Sequence, residues 1–267
     1  MIERLACILT YREGEGKARR LNLDAVLRSL ASHPELIVVV VEQDAVPRLE
    51  GNLPHPRAQH LFAYNPGPFN KSWGLNLGVR VVRSPWLMFT DADIVLGRAL
   101  AGAVELLAAG YSVVKPYVRI LDLDETESRR VRDGDFDWVP ERAAERASDR
   151  EAKGEFPPFA GGAVMMTQGV YDRMGGWDER FLGWGGEDDA MSYLLERARV
   201  PGTQLDLRPA VHLHHPRSPS NTSGQPHYRA NLALLSEYQK LSDEQLDRFA
   251  EIRRQLNGHR DKYRPAS

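Results

Sequence analysis

The chain of 267 residues holds one cysteine, Cys7. No internal disulfide can form, which suits a reducing compartment. It has no apolar stretch of about eighteen residues, so no segment reads as a membrane-spanning helix. The net charge is only −2, so the broad basic surface of a nucleic-acid binder is missing. A nucleic-acid acceptor is therefore not favoured, although Arg129, Arg130 and Arg132 form a local basic strip. Residues 1–9 read as a short strand rather than a secretory signal, and the expected location is cytoplasmic. Without a route to secretion, the sequon Asn221-Thr222-Ser223 carries little weight. No internal repeat is visible.

What the chain does have is alternation of strand and helix patterns, the mark of an α/β fold with a mostly parallel central sheet flanked by helices. Strands are predicted at 5–10, at 36–41, an unbroken apolar run, at 60–64, at 86–89 and at 112–118. Helices are predicted from the apolar spacing of Leu23, Val26, Leu27 and Leu30, from Asn70 through Val81, and over 99–109. The interval 121–156 is dense in Asp, Glu and Arg and reads as a solvated, mobile excursion. After Pro216 the composition turns to Pro, Ser, Asn and Gly, and a loop is expected through Pro226. Two helical patterns follow, at 228–241 and 243–256, the second with Ser242 and Gln245 placed as a capping box. This helical extension is expected to pack on the sheet or to join two copies of the chain.

Three groups of residues carry chemistry. Gly183-Trp184-Gly185-Gly186-Glu187-Asp188-Asp189 sets three carboxylates at the start of a helix whose apolar residues are Met191, Leu194, Leu195 and Ala198. Adjacent acids repel, so their grouping suits a site that handles a hydroxyl, a proton or a metal; a helix start that tolerates acids is the plainer reading. Thr90-Asp91-Ala92-Asp93 ends a strand and turns Asp91 and Asp93 to one side, where open α/β sheets bind ligands. His212-Leu213-His214-His215-Pro216 adds imidazoles, and imidazole with carboxylate suits manganese or a similar borderline ion.

These blocks, with Phe159-Ala160-Gly161-Gly162 and Gly175-Gly176-Trp177-Asp178-Glu179 between them, come in an order that resembles metal-dependent glycosyltransferases of the GT-A fold. The chain most resembles the group joining galactosyltransferases acting on N-acetylglucosamine, polypeptide N-acetylgalactosaminyltransferases and bacterial chondroitin-type polymerases. The resemblance covers roughly residues 4–216. It implies a catalytic domain over 1–216, with a nucleotide-sugar-binding half at about 1–118, the charged insertion at about 121–156 and an acceptor-side half at about 157–216. Residues 217–267 form the loop and helical extension.

The resemblance also implies roles. Asp93 contacts Mn2+, with Mg2+ the second choice, and His215 is the other protein ligand, followed by His212 and then His214. Asp91 reaches the ribose or a metal-bound water, or joins the ligand set. Thr10, Tyr11, Arg12 and Glu42 face the base and ribose, while Asn70, Lys71 and Asn76 approach the nucleotide and phosphates. Ala92 lies between the paired acids. Trp184 offers an apolar face to a sugar ring, and Gly161, Gly162, Gly185 and Gly186 allow close backbone approach. Asp188 is the base that takes the acceptor proton, and Glu187 holds a sugar hydroxyl. The implied donor is a nucleotide sugar, UDP-linked, the acceptor a carbohydrate or other hydroxyl, and transfer proceeds with inversion. A retaining transferase, a nucleotidyltransferase and a non-catalytic sugar-binding protein are the alternatives.

Overall fold

The computed structural model describes residues 1–141, 158–216 and 226–264. Strands β1 (Leu5–Tyr11), β2 (Ile37–Asp44), β3 (Ala58–Tyr64) and β4 (Trp86–Asp91) form the first half of a seven-stranded sheet. Helices α1 (Ala18–Leu30) and α2 (Lys71–Val81) connect them, and α3 (Ala99–Ala108) follows β4. The order is β3-β2-β1-β4, continued by β8 (Ala163–Thr167), β6 (Val113–Lys115) and β9 (Gly202–Gln204). Pairs β1/β2, β1/β4, β2/β3 and β6/β9 are parallel, whereas β8 runs antiparallel to β4 and β6. The sheet is thus mostly parallel, as the alternating sequence pattern predicted.

The central strand β1 is buried on both faces, as a continuous apolar run requires. Leu5, Cys7 and Leu9 join Leu23, Val26 and Leu27 of α1 in one core. Ala6 and Ile8 join Leu75 and Val79 of α2 on the other face, with Leu194 and Leu195 of α6 (Glu187–Arg197). Met191, Leu194 and Leu195 are all buried, so the spacing behind the three acids does mark a helix. Helix α5 (Gln168–Met174), α7 (Pro226–Tyr238) and α8 (Asp243–Leu256) complete that layer. The Ser242–Gln245 capping box is formed in both directions.

A second sheet of three short strands, β5 (Ile94–Val95), β10 (Ala210–His212) and β7 (Ile120–Asp122), was not predicted. It sets His212 opposite Ile94 on one side and Asp122 on the other. Residues 121–141 also differ from the solvated excursion expected of them. Helix α4 (Glu125–Arg132) is capped by an Asp124–Glu127 box and buries Ser128, Val131 and Arg132. Glu125, Arg129 and Arg130 face outward and the first turn is acidic, so a high charge density concealed an amphipathic helix. The rest of that interval, residues 142–156, lies outside the described residues, as does the loop expected from 217 to 225. Among the described residues no helix is long and apolar enough to cross a membrane.

Asn76 ties α2 to the Gly-Gly-Trp-Asp-Glu loop. Its Nδ2 donates to the Trp177 carbonyl and to Glu179, each at 2.9 Å, while its Oδ1 accepts from Tyr171 Oη (2.8 Å) and from the Trp177 N–H (3.0 Å). The side chain is 1% exposed. Asn76→Ala should therefore lower stability by about 3 kcal/mol, because several buried partners lose their mate at once. A urea midpoint unchanged from wild type would contradict this role.

Candidate active site

Two clusters lie at the carboxyl end of β4. The first is Asp93, His212 and His215, whose ligating atoms all lie within 4.8 Å of one another. Asp93 Oδ2 is 3.2 Å from His215 Nε2 and 3.6 Å from His212 Nε2. These separations leave room for an ion bound at about 2.0–2.2 Å from each atom. The donor set, one carboxylate and two imidazoles, suits a borderline divalent cation. Burial disfavours charge on Asp93, but His212 and His215 outweigh it and hold the carboxyl well below its usual range. Burial likewise opposes the His212 imidazolium, yet Asp93 and Asp122 raise it to about 10.

The supporting contacts explain why both histidines reach Asp93. Asp122 Oδ1 lies 2.8 Å from His212 Nδ1, which leaves Nε2 to face the cluster. The Leu213 N–H donates to the Asp93 carbonyl at 2.9 Å. Asn22, itself held by Arg132, donates to the carbonyls of Leu213 and His214. His214 points elsewhere, with Nδ1 3.0 Å from Glu125, and stands outside the cation cluster.

The second cluster is centred on Lys71. Its Nζ lies 2.8 Å from Asp91, 2.9 Å from Asp188 and 3.4 Å from Glu187. Asp91 thus pairs with the ammonium and stands outside the Asp93–His212–His215 group. Burial opposes the Lys71 charge, but Asp188, Asp91 and Glu187 outweigh it and hold its pKa well above the ordinary value. Burial and the neighbouring Asp188 raise Glu187 to about 7 despite Lys71. Asp91 is also raised, by burial first and then by Asp188 and Asp93, against Lys71. Lys71 and Asp188 border a small cavity shared with Phe89, Phe159, Gly162 and Trp177.

Three of these glycines sit with positive φ where a side chain would crowd a neighbour. Gly162 has φ +70, and a Cβ there would collide with the Tyr117 hydroxyl. That hydroxyl donates to the Gly161 carbonyl and accepts the Ala163 N–H, both at 2.8 Å. Lys115 Nζ donates to the Ala160 and Gly161 carbonyls, so a buried cation fixes this turn. Gly186 caps α6 at φ +94, where a Cβ would sit 2.8 Å from Phe181. Gly185, at φ +92, would press on Tyr228. Trp184 is 37% exposed and stacks on Tyr228, centroids 5.3 Å apart.

Several residues expected at the nucleotide are committed elsewhere. Glu42 is wholly buried, its oxygens taken by the N–H groups of Arg48 (2.6 Å) and Leu49 (3.0 Å) and by His60 (2.8 Å). Asn70 caps α2 through the Trp73 N–H at 2.9 Å, and Asn76 is saturated as described above. Both side chains are hydrogen-bonded inside the fold. Arg12 donates to the carbonyls of Gln43 (2.6 Å), Gly67 (2.8 Å) and Asn65 (2.9 Å), so it shapes the loop before α2. Thr10 and Tyr11 are buried, and the Tyr11 hydroxyl donates to Glu13 at 2.7 Å. Ala92 is half-buried against the core. Sequence reasoning missed Asp122, Lys115 and Tyr117; each acts on a residue distant in the chain, and no local spacing marks it.

A family profile described as the N-terminal domain of galactosyltransferase matches residues 142–216. Mouse polypeptide N-acetylgalactosaminyltransferase 3 is 28% identical over 153 residues, covering 50% of this chain and 23% of its own. A putative polypeptide N-acetylgalactosaminyltransferase 9 of Drosophila melanogaster is 29% identical over 155 residues, 52% of this chain and 23% of its own. The chain thus spans about a quarter of the curated relatives it matches. A mannosyltransferase from Pyrobaculum calidifontis, solved with GDP-Man and Mn2+, superposes with TM-score 0.56 at 18% identity, covering 95% of this chain and 69% of that one. The chain has the GT-A glycosyltransferase fold. The catalytic domain of Drosophila β1,4-galactosyltransferase 7, in complex with xylobiose, agrees at TM-score 0.52 and 13% identity, covering 85% and 79% of the two chains. Over its matched half the GT-A chain is similar to galactosyl- and N-acetylgalactosaminyltransferases.

Two outcomes test the site. Asp122→Asn should weaken Mn2+ affinity by about 10- to 100-fold, since it removes the carboxylate that orients His212. Titration calorimetry with Mn2+ alone checks it, and an unchanged affinity would refute it. For Glu187 the folded pKa, about 7, lies above the unfolded one. Its ionisation therefore costs stability: the cost is absent below the unfolded pKa, grows as pH rises from there to about 7, and is fully present above it. Glu187→Gln should raise the melting temperature at pH 8 by a few degrees and change it little at pH 4; equal effects at both would contradict the shift.

Proposed function

We propose that this chain transfers a sugar from a nucleotide-diphosphate donor, a UDP-sugar, to an acceptor hydroxyl with inversion. The observation that carries the reading is the adjacency of the two clusters: a cation pocket at Asp93, His212 and His215, and an acid–ammonium cluster two residues away at Asp91. Similarity to glycosyltransferases supports the reaction class, and neighbours solved with GDP-Man and Mn2+ or with xylobiose support a nucleotide-sugar donor and a carbohydrate acceptor.

Asp93, His212 and His215 would hold a manganese ion. A divalent ion there would offset the charge that gathers on the departing diphosphate. Lys71 holds Asp188 at the edge of the cavity and supplies a positive charge beside the donor. Asp188 takes the acceptor proton once the hydroxyl lies within about 3 Å of one of its carboxylate oxygens. Glu187, with its pKa near neutrality, is protonated often enough to donate to a sugar oxygen. Trp184 presents an apolar ring face at the rim. The single buried Cys7 fits a cytoplasmic setting.

A thermal-shift panel of uridine and guanosine diphosphates, with and without Mn2+, tests the donor site. Stabilisation by the uridine nucleotide only with metal is the expected result; equal stabilisation by both without metal would count against it. Asp188→Asn should keep that stabilisation and lose transfer by about 10²- to 10⁴-fold. Transfer at the wild-type rate would remove Asp188 as the base.

A further inference from the structure

The motif blocks end at His215, yet residues 257–263 form part of the wall behind the site. Asn257 donates from Nδ2 to the carbonyls of Gly175 (3.1 Å) and Trp177 (2.8 Å). Glu179, 5% exposed, accepts from the Gly258 N–H and, at 2.6 Å, from Lys262 Nζ. The Trp73 Nε1–H donates to the His259 carbonyl at 2.9 Å. Tyr263 meets the Trp73 ring edge-on, centroids 4.9 Å apart, and its hydroxyl accepts from Asn70 Nδ2 at 2.8 Å.

These contacts converge on the two sides of Lys71. Asn70, the residue before it, caps the helix, and Trp73 lies two residues after it. Asn70 also donates to the Glu179 carbonyl at 2.9 Å, so the same segment grips both the cap and the loop that the cap leans on. The Lys71 ammonium must meet carboxylates from β4 and α6 together, and the first turn of α2 decides where it stands. A helix end that frays moves a side chain in its first turn before any other.

We propose that residues 257–263 are a strap that sets the position of Lys71, with Tyr263 a positioning residue for binding the donor diphosphate. The consequence for the donor rests on the sugar-transfer reading; the mechanical role of the strap does not. Lys262 assists by holding Glu179, and the strap leaves the cation cluster alone, since Asp93, His212 and His215 stand on other elements.

The test uses the full chain with Tyr263→Ala, Tyr263→Phe and Lys262→Met, read by amide hydrogen exchange in the first turn of α2 and by calorimetry with Mn2+ alone and with uridine diphosphate plus Mn2+. Tyr263→Ala should speed exchange at the Trp73 amide and weaken uridine diphosphate by about tenfold, with Mn2+ affinity held within about twofold. Tyr263→Phe, which keeps the ring and loses the accepting oxygen, should fall between wild type and Tyr263→Ala. Unchanged exchange would overturn the strap, and faster exchange with undiminished nucleotide affinity would overturn its role at the donor. If Tyr263→Ala does not fold, Tyr263→Phe and Lys262→Met decide by the same readings. Failure of wild type to bind any nucleotide diphosphate would instead strike the sugar-transfer reading, while exchange still decides the strap.

Discussion

One ammonium holds three carboxylates of this molecule in a single cluster. Asp91, Glu187 and Asp188 come from the end of β4 and the start of α6, and without a counter-ion their mutual repulsion in a half-buried cleft would drive them apart. Lys71 supplies that counter-ion from the first position of α2. Three elements widely separated in sequence therefore meet at a single charge. Burial first, and then the neighbouring Asp188, leave Glu187 with a pKa of about 7.

Beside this cluster the cation pocket is assembled on a different principle. It depends on backbone pairing, because the small sheet brings β5, β7 and β10 side by side and so delivers Asp93, Asp122 and His212 to one edge. Asn22 and Arg132 then tie down the histidine segment through its carbonyls. One cluster is held by charge and the other by register, and Asp91 and Asp93, two residues apart, belong one to each.

Much of the architecture was legible in the sequence wherever a pattern ran long enough to show a period. The apolar run of β2, the helix behind Asp188 and the Ser242 capping box all appear where the residues placed them. Strands of two or three residues, such as β5 and β7, carry no period and were missed. The residue types of the site were legible too, since Asp93, His212 and His215 converge. Their assignments were less so. Glu42, Asn70 and Asn76 are buried and hydrogen-bonded within the fold, a commitment that their residue types near strand ends do not reveal. Asp122 and Lys71 act across about ninety and more than a hundred residues respectively, a distance at which sequence spacing says nothing of contact.

The pairing of His212 between Ile94 and Asp122 also fixes how this region can change over time. Side chains on a strand alternate between faces, so one residue gained or lost just ahead of His212 would turn its imidazole to the opposite side. The seven-stranded sheet does not include β10, but the convergence of His212 with Asp93 and His215 would be lost in one step. Drift in length at β10 is therefore closed to any descendant that keeps these three side chains together, whereas single replacements on its outer face remain open.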